Sequence, residues 1–239
     1  MEKHSLPRSI VLHLLPEILG GIVYFLLVPI VKSYGYPSFM ALVMAGVLIL
    51  IPIELGYLFF RKRKTGENFF GGIVKYLNPI PLWQYFAWIA LIIVLAGLIF
   101  SLLDFTTSYG KELFMWIPSD LFLDMGLEGN YSKQKLIISY LFFFIFIVVL
   151  IPIVEELYFR GFLLPRMPVG SAVGASLFHS ALFALYHTWT PWMFVARTFG
   201  VLPLIYIVKR KENIYLGIIA HIILNSLDFI TGLIFILRM

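Results

Sequence analysis

Several apolar runs of about 20 residues constrain this chain more than any other feature, because that length of helix crosses a bilayer core. Examples are "LVMAGVLILIPIELGYLFF" (42–60) and "LIISYLFFFIFIVVLIPIV" (136–154). They lack the period-2 alternation of barrel strands, and within hydrocarbon only helices or closed barrels satisfy every backbone group. Composition agrees: 61% of the 239 residues are hydrophobic and only 13% are charged, against roughly half and a quarter in soluble domains. The chain therefore reads as an all-α, polytopic transmembrane helical bundle. Spans are expected at about 10–31, 38–60, 82–103, 136–163, 171–188, 192–208 and 214–237. That makes about seven to eight spans, the count turning on whether one segment is broken or re-entrant.

The formal charge of +5 reads as loop placement rather than nucleic-acid binding. The segment 61–81 carries five basic residues and one acid, and "KRK" (209–211) is similar; both mark cytoplasmic loops. The acidic connection 104–134 fits the opposite side, so an N-terminus in the cytoplasm is expected. Its "FMWIPSDLF" core suggests a short interfacial helix. The basic N-terminus leads into an apolar stretch too long for a signal-peptide core, so it is read as a retained helix. There is no cysteine, which excludes disulfides, palmitoylation and a thiol nucleophile. Gly170 and Gly174, four apart, suggest close helix packing.

An ionisable residue at a bilayer centre is costly, and by default it marks function. The candidates are Glu17, Glu54, Glu155, Glu156, His179, His187, Arg197, His221 and Asp228. Glu156 and Arg160 are four apart and can pair on one helix face. A structural ion pair needs only one carboxylate, so Glu155 is left over. "FALYH" (183–187) and "HIILN" (221–225) repeat the four-residue spacing, aligning Phe183 with His187 and His221 with Asn225. His13 and Glu17 are expected to satisfy each other, Asp228 to pair with Arg197, and Glu54 to anchor at the interface. His179 is expected to make a helix contact or to support the site.

A desolvated carboxylate can take a proton from water, and a neighbouring His can share that role or hold a metal. His and Asn can donate to an oxyanion. Glu155, His187, His221 and Asn225 thus supply the parts for attack of water on a peptide carbonyl. Other intramembrane designs fit poorly. There is no HExxH zinc pair and no GxGD pattern, and "GAS" (174–176) lacks the trailing Gly of a GxSG nucleophile turn.

The three motifs, in this order, resemble the CAAX prenyl protease and bacteriocin-processing (CPBP, Abi) family of intramembrane proteases. "EELYFR" (155–160) matches EExxxR, "FALYH" matches FxxxH and "HIILN" matches HxxxN. The resemblance covers about residues 136–230. It divides one integral membrane domain into a motif-free part, 1–135, and a catalytic helical core, 136–239. It implies a polar cavity open to the cytosol, with Glu155 and His187 activating water and His221 and Asn225 lining the oxyanion site. Glu156 and Arg160 would support the geometry. Members are described both as metal-independent glutamate proteases and as metalloproteases. No cofactor is required by the residues themselves, although Glu155, His187 and His221 could hold zinc with water as a fourth ligand.

This small chain looks like the prokaryotic branch, where prenylated substrates are not expected. A peptide or membrane-protein substrate is expected in a prokaryotic cell membrane, in peptide maturation or bacteriocin self-immunity. The competing reading is a non-proteolytic scaffold that partners a sensor kinase or another membrane protein. A transporter is disfavoured by the absence of inverted broken-helix repeats. One tension stands: a full-length fifth span would carry His187 across the membrane from Glu155. A single site requires that span to be short, tilted or ended within the membrane.

Overall fold

In the computed structural model, which describes residues 2–128 and 130–239, the apolar runs become helices whose ends follow local chemistry. Helix α1 (Leu6–Ser33) is capped by Ser5, whose hydroxyl accepts from the Arg8 amide. Helix α2 (Phe39–Thr65) stops at Gly66, which adopts the left-handed conformation favoured after a helix. Helix α3 (Leu82–Leu102) follows, then a short α4 (Asp104–Leu113). The long α5 (Lys133–Arg166) leads to α6 (Ala172–Tyr186), α7 (Pro191–Gly200), α8 (Leu202–Lys211) and α9 (Ile214–Arg238).

Among the described residues five helices are long and apolar enough to cross a membrane: α1, α2, α3, α5 and α9. A sixth arises if α7 and α8, bent by 41° at their junction, count as one broken span. The expected count of seven to eight spans is therefore too high, and length explains why. Helix α6 has 15 residues, about 22 Å of rise against a core of about 30 Å. Within the expected interfacial helix at 114–122 the helical part is a short 3-10 turn, Ser119–Leu121, and 114–116 form a turn, while the longer regular helix lies upstream in α4. Gly170 is exposed in the α5–α6 turn, and Gly174 sits in the first turn of α6 against the Ser171 hydroxyl. Neither lies in a helix crossing.

Two prolines decide how the helices lock together. Pro16 has no N–H, so the Leu12 carbonyl loses its intrahelical partner; the Tyr158 hydroxyl of α5 donates to it at 2.8 Å. In α5, residues Phe143–Leu150 form a widened helical stretch in which the Ile151 amide bonds the Phe146 carbonyl. The Ile147 carbonyl would then look to residue 152, which is Pro and has no donor. Asn225 Nδ2 on α9 fills the gap at 2.9 Å. Inside a bilayer, where water cannot satisfy a carbonyl, both bonds carry more than ordinary structural weight.

The largest buried cluster lies where α5, α6, α8 and α9 meet, with Phe159, Phe183, Tyr186, Ile205 and Leu216 at its centre. Leucines such as Leu26, Leu98 and Leu233 point outward, as a lipid-facing surface requires. Basic residues collect at one end of the bundle. Lys3 donates to the Pro165 carbonyl, Arg166 to the Gly72 carbonyl and Lys209 to the Tyr76 hydroxyl. The acidic connection lies at the other end, where Lys32 donates to the Asp120 carbonyl and Ser38 to that of Phe122.

Candidate active site

Helix α5 carries Glu155, Glu156 and Arg160 about two-thirds along its length, where a second widened stretch begins (Glu156–Leu163). Such local widening recurs at functional positions. Arg160 and Glu156 form the expected ion pair, Nη1 to Oε1 at 3.3 Å, with both side chains at most 1% exposed. The Arg160 guanidinium also lies 4.0 Å from the Phe183 ring centroid, a cation–π contact strengthened by burial. Glu155 does not join that pair.

Helix α9 approaches this point through Gly217. A Cβ there would collide with Glu156 Oε2, so only glycine lets the carboxylate lie against the helix. One turn later His221 faces both acids. Its Nδ1 is 3.1 Å from Glu156 Oε1 and its Nε2 is 3.8 Å from Glu155 Oε2. Nδ1, facing a carboxylate, must carry hydrogen. The Nε2 separation is that of an ion pair rather than a hydrogen bond. Asn225, a further turn along, spends one amide hydrogen on the Ile147 carbonyl and keeps the other.

His187 is the residue at which α6 stops. Its backbone leaves the helical region (φ −85°, ψ 67°). Its Nδ1 donates to the Phe183 carbonyl at 2.8 Å, which fixes the tautomer and leaves Nε2 as a free acceptor. The shortness of α6 resolves the tension over depth. Measured from the α5–α6 turn, Glu155 lies about 17 Å along α5 and His187 about 22 Å along α6, nearly level. Phe183 joins the groups, with ring centroids 4.8 Å from His187 and 6.3 Å from His221. The structure thus gathers Arg160, His187 and His221 around one aromatic ring, with Glu155 and Glu156 against His221 and Asn225 one turn farther along α9. Among the described residues no hydrogen bond or ion pair joins Glu155 to His187 directly.

The zinc alternative meets a weaker fit. Among the described residues no three His, Asp or Glu side chains converge into a metal-sized group. His221 presents one ring nitrogen to each of the two acids.

Several polar residues depart from expectation. His13 does not meet Glu17: its Nδ1 donates to the Ser9 carbonyl at 2.6 Å and its Nε2 lies 2.8 Å from His179 Nδ1. Glu17 instead accepts from Thr188 Oγ1 at 3.1 Å. Glu54 is no interface anchor but is fully buried, accepting from the Tyr186 hydroxyl at 2.9 Å. Arg197 donates to Thr190 at 3.0 Å, and Asp228 is exposed. For His13, Glu17 and Glu54 the cause is helix packing across sequence-distant segments, which outweighs i,i+4 neighbours; Arg197 is instead taken up by groups of its own segment. Gly217 was missed although its signal was readable: it stands four residues before His221, on the same helix face. Thr188 and Tyr186 carried no signal beyond adjacency to His187.

Two cavities lie beside this cluster. One of about 770 Å³ is lined by apolar residues of α3, α7 and α8, including Trp88, Leu95 and Phe199. Another of about 750 Å³ lies between α4 and the α6–α7 turn.

Residues 137–227 match the family model described as Rce1-like, type II CAAX prenyl endopeptidase. No curated protein and no solved structure matches the chain. All three motifs fall within these matched residues, on helices that meet at one point, so residues 137–227 are similar to the Rce1-like, type II CAAX prenyl endopeptidases.

Proposed function

We propose that the chain hydrolyses a peptide bond within the membrane, using water activated by Glu155 with His187. The observation that carries this reading is the division of labour between two adjacent acids. Glu156 is held by Arg160 and by His221, while Glu155 is free of the guanidinium and available to take a proton. Water bound between Glu155 and the Nε2 acceptor of His187 gives up a proton to Glu155 as its oxygen attacks the scissile carbonyl carbon. The carbonyl electron pair moves to oxygen, and the oxyanion meets the remaining amide hydrogen of Asn225, beside His221, whose Nδ1–H is committed to Glu156. Each such donor is worth about 2.7–4 kcal/mol in related chemistry. Glu155 then returns the proton to the leaving nitrogen as the C–N bond breaks. No step requires a metal.

In this reading the basic end of the bundle, with the N-terminus, faces the cytoplasm, and substrate reaches the site from that side. The substrate is a peptide or the tail of a membrane protein, and the chain acts in peptide maturation or bacteriocin self-immunity in a prokaryotic membrane. A comparison of membrane and secreted peptide termini between cells carrying the wild type and Glu155→Gln tests the reading. Termini present only with the wild type, at equal protein levels, are the expected result. Identical termini in both would favour a scaffold.

A further inference from the structure

His187 is a loop residue at the end of a short helix, and both of its chain neighbours are hydrogen-bonded to buried acids from elsewhere. On one side, the Tyr186 hydroxyl donates to Glu54 Oε1 at 2.9 Å; on the other, Thr188 Oγ1 donates to Glu17 Oε1 at 3.1 Å. Glu54 lies on α2 and Glu17 on α1, both outside the 137–227 family match. Each acid is at most 1% exposed. Among the described residues neither has a cationic partner, and Glu17 Oε2 and Glu54 Oε2 have no hydrogen-bond partner. Helix α1 reaches this turn closely because residue 21 is glycine, where a Cβ would collide with Thr188 Oγ1.

A purely structural contact would not need acids here. An amide or hydroxyl could accept the same single hydrogen bond without placing a second bare oxygen in a dry interior. The shared feature of the two acids is their target: the residues before and after His187. Conformationally, residue 187 has left the helix, so its ring is not aimed by helical geometry. The Phe183 bond sets its tautomer, and the flanking contacts set where the ring stands.

We propose that Glu17 and Glu54 are positioning residues, a two-sided clamp by which α1 and α2 hold the His187 turn in register with Glu155. This rests on the protease reading, and it makes the motif-free helices part of the catalytic unit. A loosened turn lets the ring swing, and misplacement of an outer-shell partner on this scale costs on the order of 10- to 100-fold in activity.

The test uses the full chain in lipid nanodiscs with ¹⁵N-labelled histidine, the His187 signal assigned with His187→Gln. The wild type is expected to show a single Nδ1–H tautomer for His187. Tyr186→Phe and Thr188→Val are each expected to replace it with an exchange-averaged signal. Wild-type-specific peptide termini should fall 10- to 100-fold in cells carrying them. Thr188→Ser, which keeps the hydroxyl, should recover most of both. An unchanged His187 signal in Tyr186→Phe and Thr188→Val overturns the clamp whatever the activity does. Glu155→Gln separates the two ideas: it should erase the termini and leave the His187 signal intact. Should it still generate them, the protease reading fails while the clamp is judged on the signal alone.

Discussion

The two parts of this chain contribute to one site in different currencies. Residues 137–227 supply three short motifs whose polar letters make up the proposed catalytic cluster. Helices α1 and α2 supply no motif, yet Glu17 and Glu54 end against the two residues that bracket His187. The motif-bearing part needs fixed spacing because its groups lie one helical turn apart on shared faces. The other part needs only one polar atom at the right place, which leaves no periodic trace. Absence of a motif is therefore no measure of distance from the chemistry.

The comparison can be broken most readily at the motif-bearing end. His187→Ala should lower hydrolysis by about 10²–10⁴-fold, the usual range for a lost acid–base partner, with little change in thermal midpoint. A comparable loss of midpoint would mean that His187 is structural. Next in size, Arg160→Ala strands the Glu156 carboxylate and should cost roughly 3–5 kcal/mol of stability, read as lost folded protein in detergent. Arg160→Lys should recover only part, since a point charge cannot reproduce the planar contact with Phe183.

A smaller effect tests how the halves are joined. Tyr158→Phe leaves the Leu12 carbonyl unsatisfied and should cost about 1–3 kcal/mol. Adding Pro16→Ala restores an intrahelical N–H and should remove most of that penalty. Equal midpoints for the single and double variants would show that the Pro16–Tyr158 pairing is incidental.

The smallest effect concerns pH at the N-terminus. His4 lies outside the spans, and burial first, then Arg8, Arg166 and Arg61, push it down to about 4. It stays neutral when folded but takes a proton when unfolded, so the unfolded state binds more protons between pH 6.5 and about 4. Stability is full above pH 6.5 and is lost as pH falls toward 4. His4→Gln should flatten that slope, measured as thermal midpoint against pH.

Much of the site was legible because its spacing matches the helix period. The Glu156–Arg160 pair, the surplus Glu155 and the alignment of His221 with Asn225 all follow from residues four apart on one face. The depth of His187 was legible only as a conflict, settled by α6 ending after 15 residues. What stayed hidden depends on contacts between distant segments: His13 meeting His179 rather than Glu17, and Glu54 meeting Tyr186 at the site rather than the lipid surface. The local rule of i,i+4 pairing offered a nearer partner in the first case, and tertiary packing won. The overcount of spans has the same origin, since hydropathy registers an apolar run without registering that α7 and α8 bend by 41°.

The central claim is that Glu155 activates the hydrolytic water. Its most direct test is single-turnover hydrolysis of a quenched-fluorescent CAAX peptide, farnesylated and unprenylated, by nanodisc-reconstituted wild type and Glu155→Gln. Cleavage of at least one form by the wild type, reduced about 10²–10⁴-fold in a folded Glu155→Gln protein, is the predicted result. Cleavage at equal rates by the two folded proteins would contradict it.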